Sequence, residues 1–224
     1  MAKFETIELT ASDSVKLKAD WYRGDLTVTQ GKPKWFVFIH MMPATKESWQ
    51  AVATRAQEKG YASLAVDLRG HGQSEGGPDG YKNFTDAQHQ QSRLDLQAAV
   101  DYVLGQGAAP DKIVLVGASF GANLVLEYGV NHPQFTRLIL LSPGLNYRGI
   151  ETEPLVQKLQ RGQRIWLVAA DDDNDGLNSQ WAKQLFELID ADKIEKRGVT
   201  FKVAGHGSDI LKAVPEMLVK VVSF

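Results

Sequence analysis

The chain has 224 residues, a formal net charge of −2 at neutral pH and no cysteine. That length is enough for one α/β domain with a full buried core. The mixed charges leave no basic footprint for nucleic acid, and the missing cysteines exclude disulfides, thiolate metal sites and a cysteine nucleophile.

No run approaches 18 consecutive apolar residues, and residues 1–6 lack the apolar stretch of a signal peptide. A cytoplasmic protein without a membrane span is therefore expected. In chain order, residues 4–9 and 15–21 alternate apolar and polar side chains around Ala11-Ser12-Asp13-Ser14, the pattern of an antiparallel hairpin. Residues 24–34 are polar, with Gly31 and Pro33, and read as a loop. Residues 35–39 form the first continuous apolar strand and run into His40-Met41-Met42-Pro43. Apolar residues at helical spacing fill residues 46–59 and stop at Gly60. Residues 62–68 read as a second buried strand and 69–80 as a glycine-rich loop. Residues 86–104 read as a helix with Leu94, Ala98 and Val100 inward and His89 exposed.

The stretch that follows organises the rest. Residues 113–116 are a continuous apolar run, Gly117-Ala118-Ser119-Phe120-Gly121 turns the chain, and a helical segment continues to residue 128. A Gly-x-Ser-x-Gly turn between a buried strand and a helix holds a serine hydroxyl at a strained corner beside a helix N-terminus. The pattern recurs at Gly72-Gln73-Ser74-Glu75-Gly76, but there Gly77-Pro78-Asp79-Gly80 prevents a helix from starting. Context therefore selects Ser119.

Beyond it, residues 135–141 read as a strand, 142–149 as a loop and 153–159 as a short helix. A strand over 165–169 ends in Asp171-Asp172-Asp173-Asn174-Asp175-Gly176, and a helix spans 177–189. A strand over 199–203 leads into Ala204-Gly205-His206-Gly207, and a helix over 210–222 closes the chain. Strands alternating with helices imply an α/β fold: a mostly parallel central sheet with helices on both faces, extended by the N-terminal hairpin. In such sheets ligand chemistry gathers at the strands' C-terminal ends, where His40-Met41-Met42, Ser119, the aspartate run and His206 are delivered. A serine hydroxyl needs a base to take its proton, histidine titrates near working pH, and a carboxylate orients the histidine.

Here the chain resembles the α/β-hydrolase family. The resemblance rests on Phe38-Ile39-His40, Val66-Asp67-Leu68-Arg69-Gly70-His71-Gly72-Gln73-Ser74, the turn around Ser119, and Gly205-His206-Gly207. It implies Ser119 as nucleophile, His206 as general base and acid, and Asp173 as the acid, with Asp172 or Asp171 as alternatives in a shifted loop. It also implies oxyanion donors from the backbone of Phe120 and of Met42, or of Met41, which stands where the family commonly has glycine. Ser119 argues against dehalogenases and epoxide hydrolases, whose elbow carries Asp, and against dienelactone hydrolases, whose elbow carries Cys.

The aspartates also match the start of a calcium loop, but its twelfth position is Ala182, so no metal or cofactor is expected; helix capping near Asp175 or Asn178 is. His71 and His40 read as structural. The short stretch between residues 138 and 165 leaves no room for a large lid. An open cleft walled by Met41, Met42, Trp49, Phe120, Leu145 and Tyr147 is expected. The overall expectation is a lidless serine hydrolase of small carboxylic esters. The alternatives are a thioesterase or small peptidase on the same machinery, or a silent binding protein with this fold.

Overall fold

A computed structural model describes residues 3–29 and 34–224. The loop expected around Gly31 and Pro33 lies partly outside these residues. Strand β1 (Glu5–Thr10) pairs antiparallel with β2 (Lys16–Tyr22), as the alternating pattern requires. After them come β3 (Trp35–Ile39), α1 (Gln50–Glu58), β4 (Ala62–Val66), α2 (Asp86–Gln90), α3 (Ser92–Gly105), β5 (Ile113–Ala118) and α4 (Phe120–Asn131). The chain continues through β6 (Arg137–Leu141), the two-residue strands β7 (Asn146–Tyr147) and β8 (Ile150–Glu151), and α5 (Glu153–Val156). It ends with β9 (Arg164–Ala170), α6 (Leu177–Leu188), β10 (Glu195–Phe201), α7 (Asp209–Ala213) and α8 (Glu216–Ser223).

The main sheet runs β1-β2-β4-β3-β5-β6-β9-β10, and every pair from β4 to β10 is parallel. Buried at every position, β3, β4 and β5 are apolar apart from Ser63 on β4, and their period of two divides the core. Trp35, Val37, Ile39, Ile113, Leu115, Ile165 and Leu167 pack toward α3, α4 and α6, with Leu96, Ala99, Leu124 and Leu185. Phe36, Phe38, Val114, Val116, Trp166 and Val168 pack toward α1 and α8, with Val52, Ala56, Met217 and Val221. At roughly 25 cal/mol per Å² of apolar surface removed from water, these two layers dominate the stabilisation of the sheet.

Several expectations need correction. The helix expected over 86–104 breaks at Gln91, and its buried stripe is Ser92, Asp95, Leu96, Ala99, Val100 and Val103, with Leu94 and Ala98 only half-buried. The stripe was hidden because Asp95 is charged; its carboxylate is buried against Arg69, with Nη2 at 2.7 Å. His89 is buried, edge-on to Phe84 and Phe120, rather than exposed. The loop expected over 142–149 contains half of a small hairpin, and the last helix is split where Pro215 lacks the N–H to continue it.

Candidate active site

Ser119 sits between β5 and α4 with φ 53° and ψ −120°, a backbone region that an L-residue enters only under strain. Two glycines make the corner possible. A Cβ on Gly117 would lie 2.1 Å from the Gly121 carbonyl oxygen, and one on Gly121 would lie 2.5 Å from that of Ile39. Without those side chains the first turn of α4 presses against the end of β3, from which Met41 and Met42 follow. The corner is held by the Ser119 N–H donating to the Leu141 carbonyl at 2.8 Å. The second Gly-x-Ser-x-Gly serine is occupied structurally: Ser74 Oγ donates to the Asp67 carbonyl at 2.6 Å and accepts from the Lys18 N–H at 2.9 Å.

Two strands away, β9 ends in the aspartate run. Asp173 is buried and its Oδ2 stands 2.7 Å from His206 Nδ1. Its neighbour Asp172 faces another way: Oδ1 accepts the N–H groups of Ala204 and Gly205 at 3.0 and 3.1 Å, which holds its carboxyl below the usual carboxylate range. Adjacent acids thus do separate jobs, one meeting the imidazole and the other tying down the loop that carries it. Asp171 is exposed. The helix-cap expectation is not met, because α6 is preceded by Gly176 in the left-handed region with no side-chain cap. Among the described residues, no hydrogen bond joins the Ser119 hydroxyl to His206.

Phe120 is the first residue of α4, so its N–H has no carbonyl within the helix to bond. The loop from His40 to Met42 is braced by the His40 ring, whose Nδ1 donates to the Met41 carbonyl at 2.8 Å while Nε2 accepts the Leu68 N–H at 3.0 Å. The second partner is a donor, which assigns the proton to Nδ1. Burial depresses the pKa of His40 to about 4 and that of His71, stacked on Tyr81, also to about 4, so both rings are neutral near pH 7.

The expected cleft walls divide. Trp49 is a core residue stacked on Phe38, the Phe120 ring is buried, and Met41 is packed against Gly207 and Ala118 beneath the histidine loop. Met42, Leu145 and Tyr147 are only partly buried, packed against the rim of the core. The large side chains assumed to line the cleft were drawn into the core by the same apolar area that made them candidates.

Sequence reasoning missed the supports. Ser142, which follows β6 with φ 49°, accepts the Gly207 N–H on its Oγ at 2.9 Å and so fixes the backbone beside His206. Buried Asn123 on α4 bonds the N–H and C=O of Gly144 and the carbonyl of Ile150, pinning the β7–β8 hairpin. Asn178 Nδ2 donates to the Tyr147 hydroxyl at 2.9 Å. The one available signal was Ser142, a polar residue at the strand edge already holding the other site residues. Four residues after Met42 comes Lys46, 2% exposed, with Nζ 3.6 Å from Asp67 and 3.8 Å from Asp20. Burial pulls its pKa down, but Glu47, Asp67 and Asp20 outweigh that and keep it protonated.

Comparison with known proteins places this arrangement. The sequence model of the family described as serine aminopeptidase, S33, matches residues 31–216. A putative non-heme haloperoxidase of Mycobacterium phage D29 is 27% identical over 116 residues, and the AB hydrolase superfamily protein YisY of Bacillus subtilis is 29% identical over 117. Each match covers 51% of this chain but only 37% and 39% of those proteins, so the chain matches well under half of their length. In fold, it is similar to the Pyrococcus furiosus esterase Pf2001, with TM-score 0.75 and 18% identity over 99% of this chain and 91% of that one. It is also similar to Est1E of Butyrivibrio proteoclasticus with ferulic acid bound, with TM-score 0.74 and 19% identity over 96% of both chains. A strained serine between β5 and α4, a histidine after β10 and an S33 match over most of the length lead to one conclusion: the chain has the α/β-hydrolase fold and belongs to the serine aminopeptidase S33 family.

Proposed function

We propose that this protein is a serine hydrolase of small carboxylic esters. The observation that carries the reading is the strained Ser119 at the same sheet edge as the Asp173–His206 pair. Asp173 holds Nδ1 of the imidazole protonated, leaving Nε2 free to accept a proton. Ser119 Oγ attacks the ester carbonyl as His206 takes its proton. The oxyanion is bound by the N–H of Phe120 together with that of Met42, or of Met41. His206 then protonates the departing alcohol, and water, activated by the same imidazole, releases the acyl group.

Two further features favour small esters. Only the β7–β8 hairpin and the four-residue α5 stand between β6 and β9, and the partly buried Met42, Leu145 and Tyr147 offer a modest apolar wall. The P. furiosus protein is named an esterase, and Est1E binds ferulic acid. The test is a series of 4-nitrophenyl esters from acetyl to decanoyl, run beside a thioester and a 4-nitroanilide of the same acyl group. Short esters are expected to turn over fastest and Ser119→Ala to be inactive. Faster cleavage of the anilide or thioester, or an active Ser119→Ala protein, would overturn the reading.

A further inference from the structure

The hairpin standing where larger relatives of this fold could carry a lid delivers a phenol that Asn178 links to Ser142, beside the loop of His206. Tyr147 ends β7, and its ring lies over Gly144, where an added Cβ would come within 2.4 Å of it, and edge-on to Trp181. The hairpin cannot drift: Asn123 makes three hydrogen bonds to it from inside the core, Thr152 Oγ1 donates to the Gly144 carbonyl at 2.7 Å, and Gln90 Nε2 donates to the Arg148 carbonyl at 2.8 Å. A donor built this way is preorganised.

The direction of the phenol proton follows from its partners. The Asn178 amide stands 2.9 Å from the Tyr147 hydroxyl and 3.4 Å from the Ser142 carbonyl. A carbonyl only accepts, so the amide presents its NH₂ to both, and the Tyr147 oxygen is the acceptor from Asn178. Its own proton is left to point away from Asn178, and the same amide ties the phenol to Ser142, whose Oγ holds the Gly207 N–H beside His206. Burial first, and the nearby Asp173 carboxylate second, raise the phenol's pKa, so it stays protonated.

Strand order fixes which part of a substrate this donor meets. Ser119 follows β5; on one side is β3, whose loop carries Met41 and Met42, and on the other are β6 and β9, whose loops carry Tyr147 and Asp173. The oxyanion therefore belongs to the β3 side and the departing oxygen to the side of His206 and Tyr147.

We infer that Tyr147 donates a hydrogen bond to the leaving-group oxygen of the ester, so that this residue sets how poor a leaving group the site can expel. The inference rests on the serine hydrolase reading. When the tetrahedral intermediate collapses, the bond from the carbonyl carbon to the alcohol oxygen breaks and its electron pair stays on that oxygen. The imidazolium of His206 supplies the proton, and an alcohol departs from the acyl-enzyme. Tyr147 keeps its proton throughout and shares it only as a hydrogen bond, spreading the negative charge that builds on the oxygen before His206 delivers. That help matters most for alkyl esters and least for 4-nitrophenyl esters, whose leaving group carries the charge unaided.

The experiment compares wild type with Tyr147→Phe, which keeps the ring and its packing, on acetate esters of alcohols and phenols of graded acidity. The readout is kcat/KM, which reports acylation. Expected is a loss of roughly ten- to hundredfold on alkyl acetates and less than about threefold on 4-nitrophenyl acetate, steepening the dependence on leaving-group acidity. Asn178→Leu, which releases the phenol from its orientation, should shift the slope in the same direction by less. Equal losses across the series, or none, in Tyr147→Phe would overturn the inference, because a merely structural role weakens every ester alike. Labelling by a fluorophosphonate separates the two levels: an unlabelled wild type defeats the serine hydrolase reading itself, whereas a labelled one with an unchanged slope defeats only the role of Tyr147.

Discussion

Replacing Asp173 with Asn, beside the same change at Asp172, separates two carboxylates that are adjacent in sequence and act on the same loop. Asp173 is buried and 2.7 Å from His206 Nδ1, so an amide there loses the charge facing the imidazole and can turn its NH₂ toward the ring. Nδ1 would then have to accept, and the proton would move to Nε2, the atom that must be free to deprotonate Ser119. Where an acid in this role has been neutralised in other hydrolases, kcat falls about 10⁴-fold, or roughly 5 kcal/mol of transition-state stabilisation. Asp172 is different. Its Oδ1 accepts two backbone N–H groups, and an Asn carbonyl can accept both, losing only the charge assistance. That substitution should cost less than about tenfold, whereas Asp172→Ala, which frees Ala204 and Gly205, should cost on the order of ten- to hundredfold through a loosened histidine loop. The assay is kcat/KM on 4-nitrophenyl acetate, with circular dichroism to check folding. If Asp173→Asn keeps more than a tenth of wild-type activity while Asp172→Asn collapses, the acid has been assigned to the wrong residue.

Three other perturbations test the scaffold. Gly121→Ala places a Cβ 2.5 Å from the Ile39 carbonyl oxygen, so α4 and β3 must separate by about half an ångström; kcat should fall on the order of ten- to hundredfold with a smaller change in KM, and unchanged kinetics would refute the close-approach argument. His40 and His71, ordinarily near 6.5, are held near 4 by burial, so the unfolded chain binds protons first as the pH drops. Stability should be complete above pH 6.5 and lost as the pH falls toward 4, by about 3 kcal/mol for His40 alone at pH 4. Urea midpoints measured across this range should show His71→Phe with the shallower slope; identical slopes would refute the buried-neutral assignment. Lys46→Met strands the buried carboxylates of Asp20 and Asp67 and should cost about 3–5 kcal/mol in denaturant unfolding, against little loss if the cluster were solvated.

How much was legible in the sequence depended on burial. β3, β4 and β5 are buried on both faces, and their apolar runs, interrupted only by Ser63 on β4, were readable to within about two residues. At the sheet edge β10 pairs, among the described residues, only with β9, and Glu195, Lys196 and Arg197 open it, so the alternation of Val199, Phe201 and Val203 with Thr200 and Lys202 was mistaken for the whole strand. The α3 stripe escaped because Ser92 and Asp95 lie on it, a carboxylate being buried only where a partner such as Arg69 neutralises it. Trp49 went the other way: an apolar side chain fits a cleft or a core equally well until its neighbours are known. Ser119 and His206 could be singled out as candidates because glycines mark their turns. Asn178 could not be, since its partner Tyr147 lies 31 residues earlier and only the folded chain joins them.

The central claim is that Ser119 is the nucleophile, and covalent capture tests it most directly. A fluorophosphonate should add to the wild-type protein one-to-one, and digestion with mass spectrometry should locate the adduct on the peptide containing Ser119. Ser119→Ala should remain unmodified under the same conditions. An adduct on another residue, or equal labelling of the Ser119→Ala protein, would contradict the account.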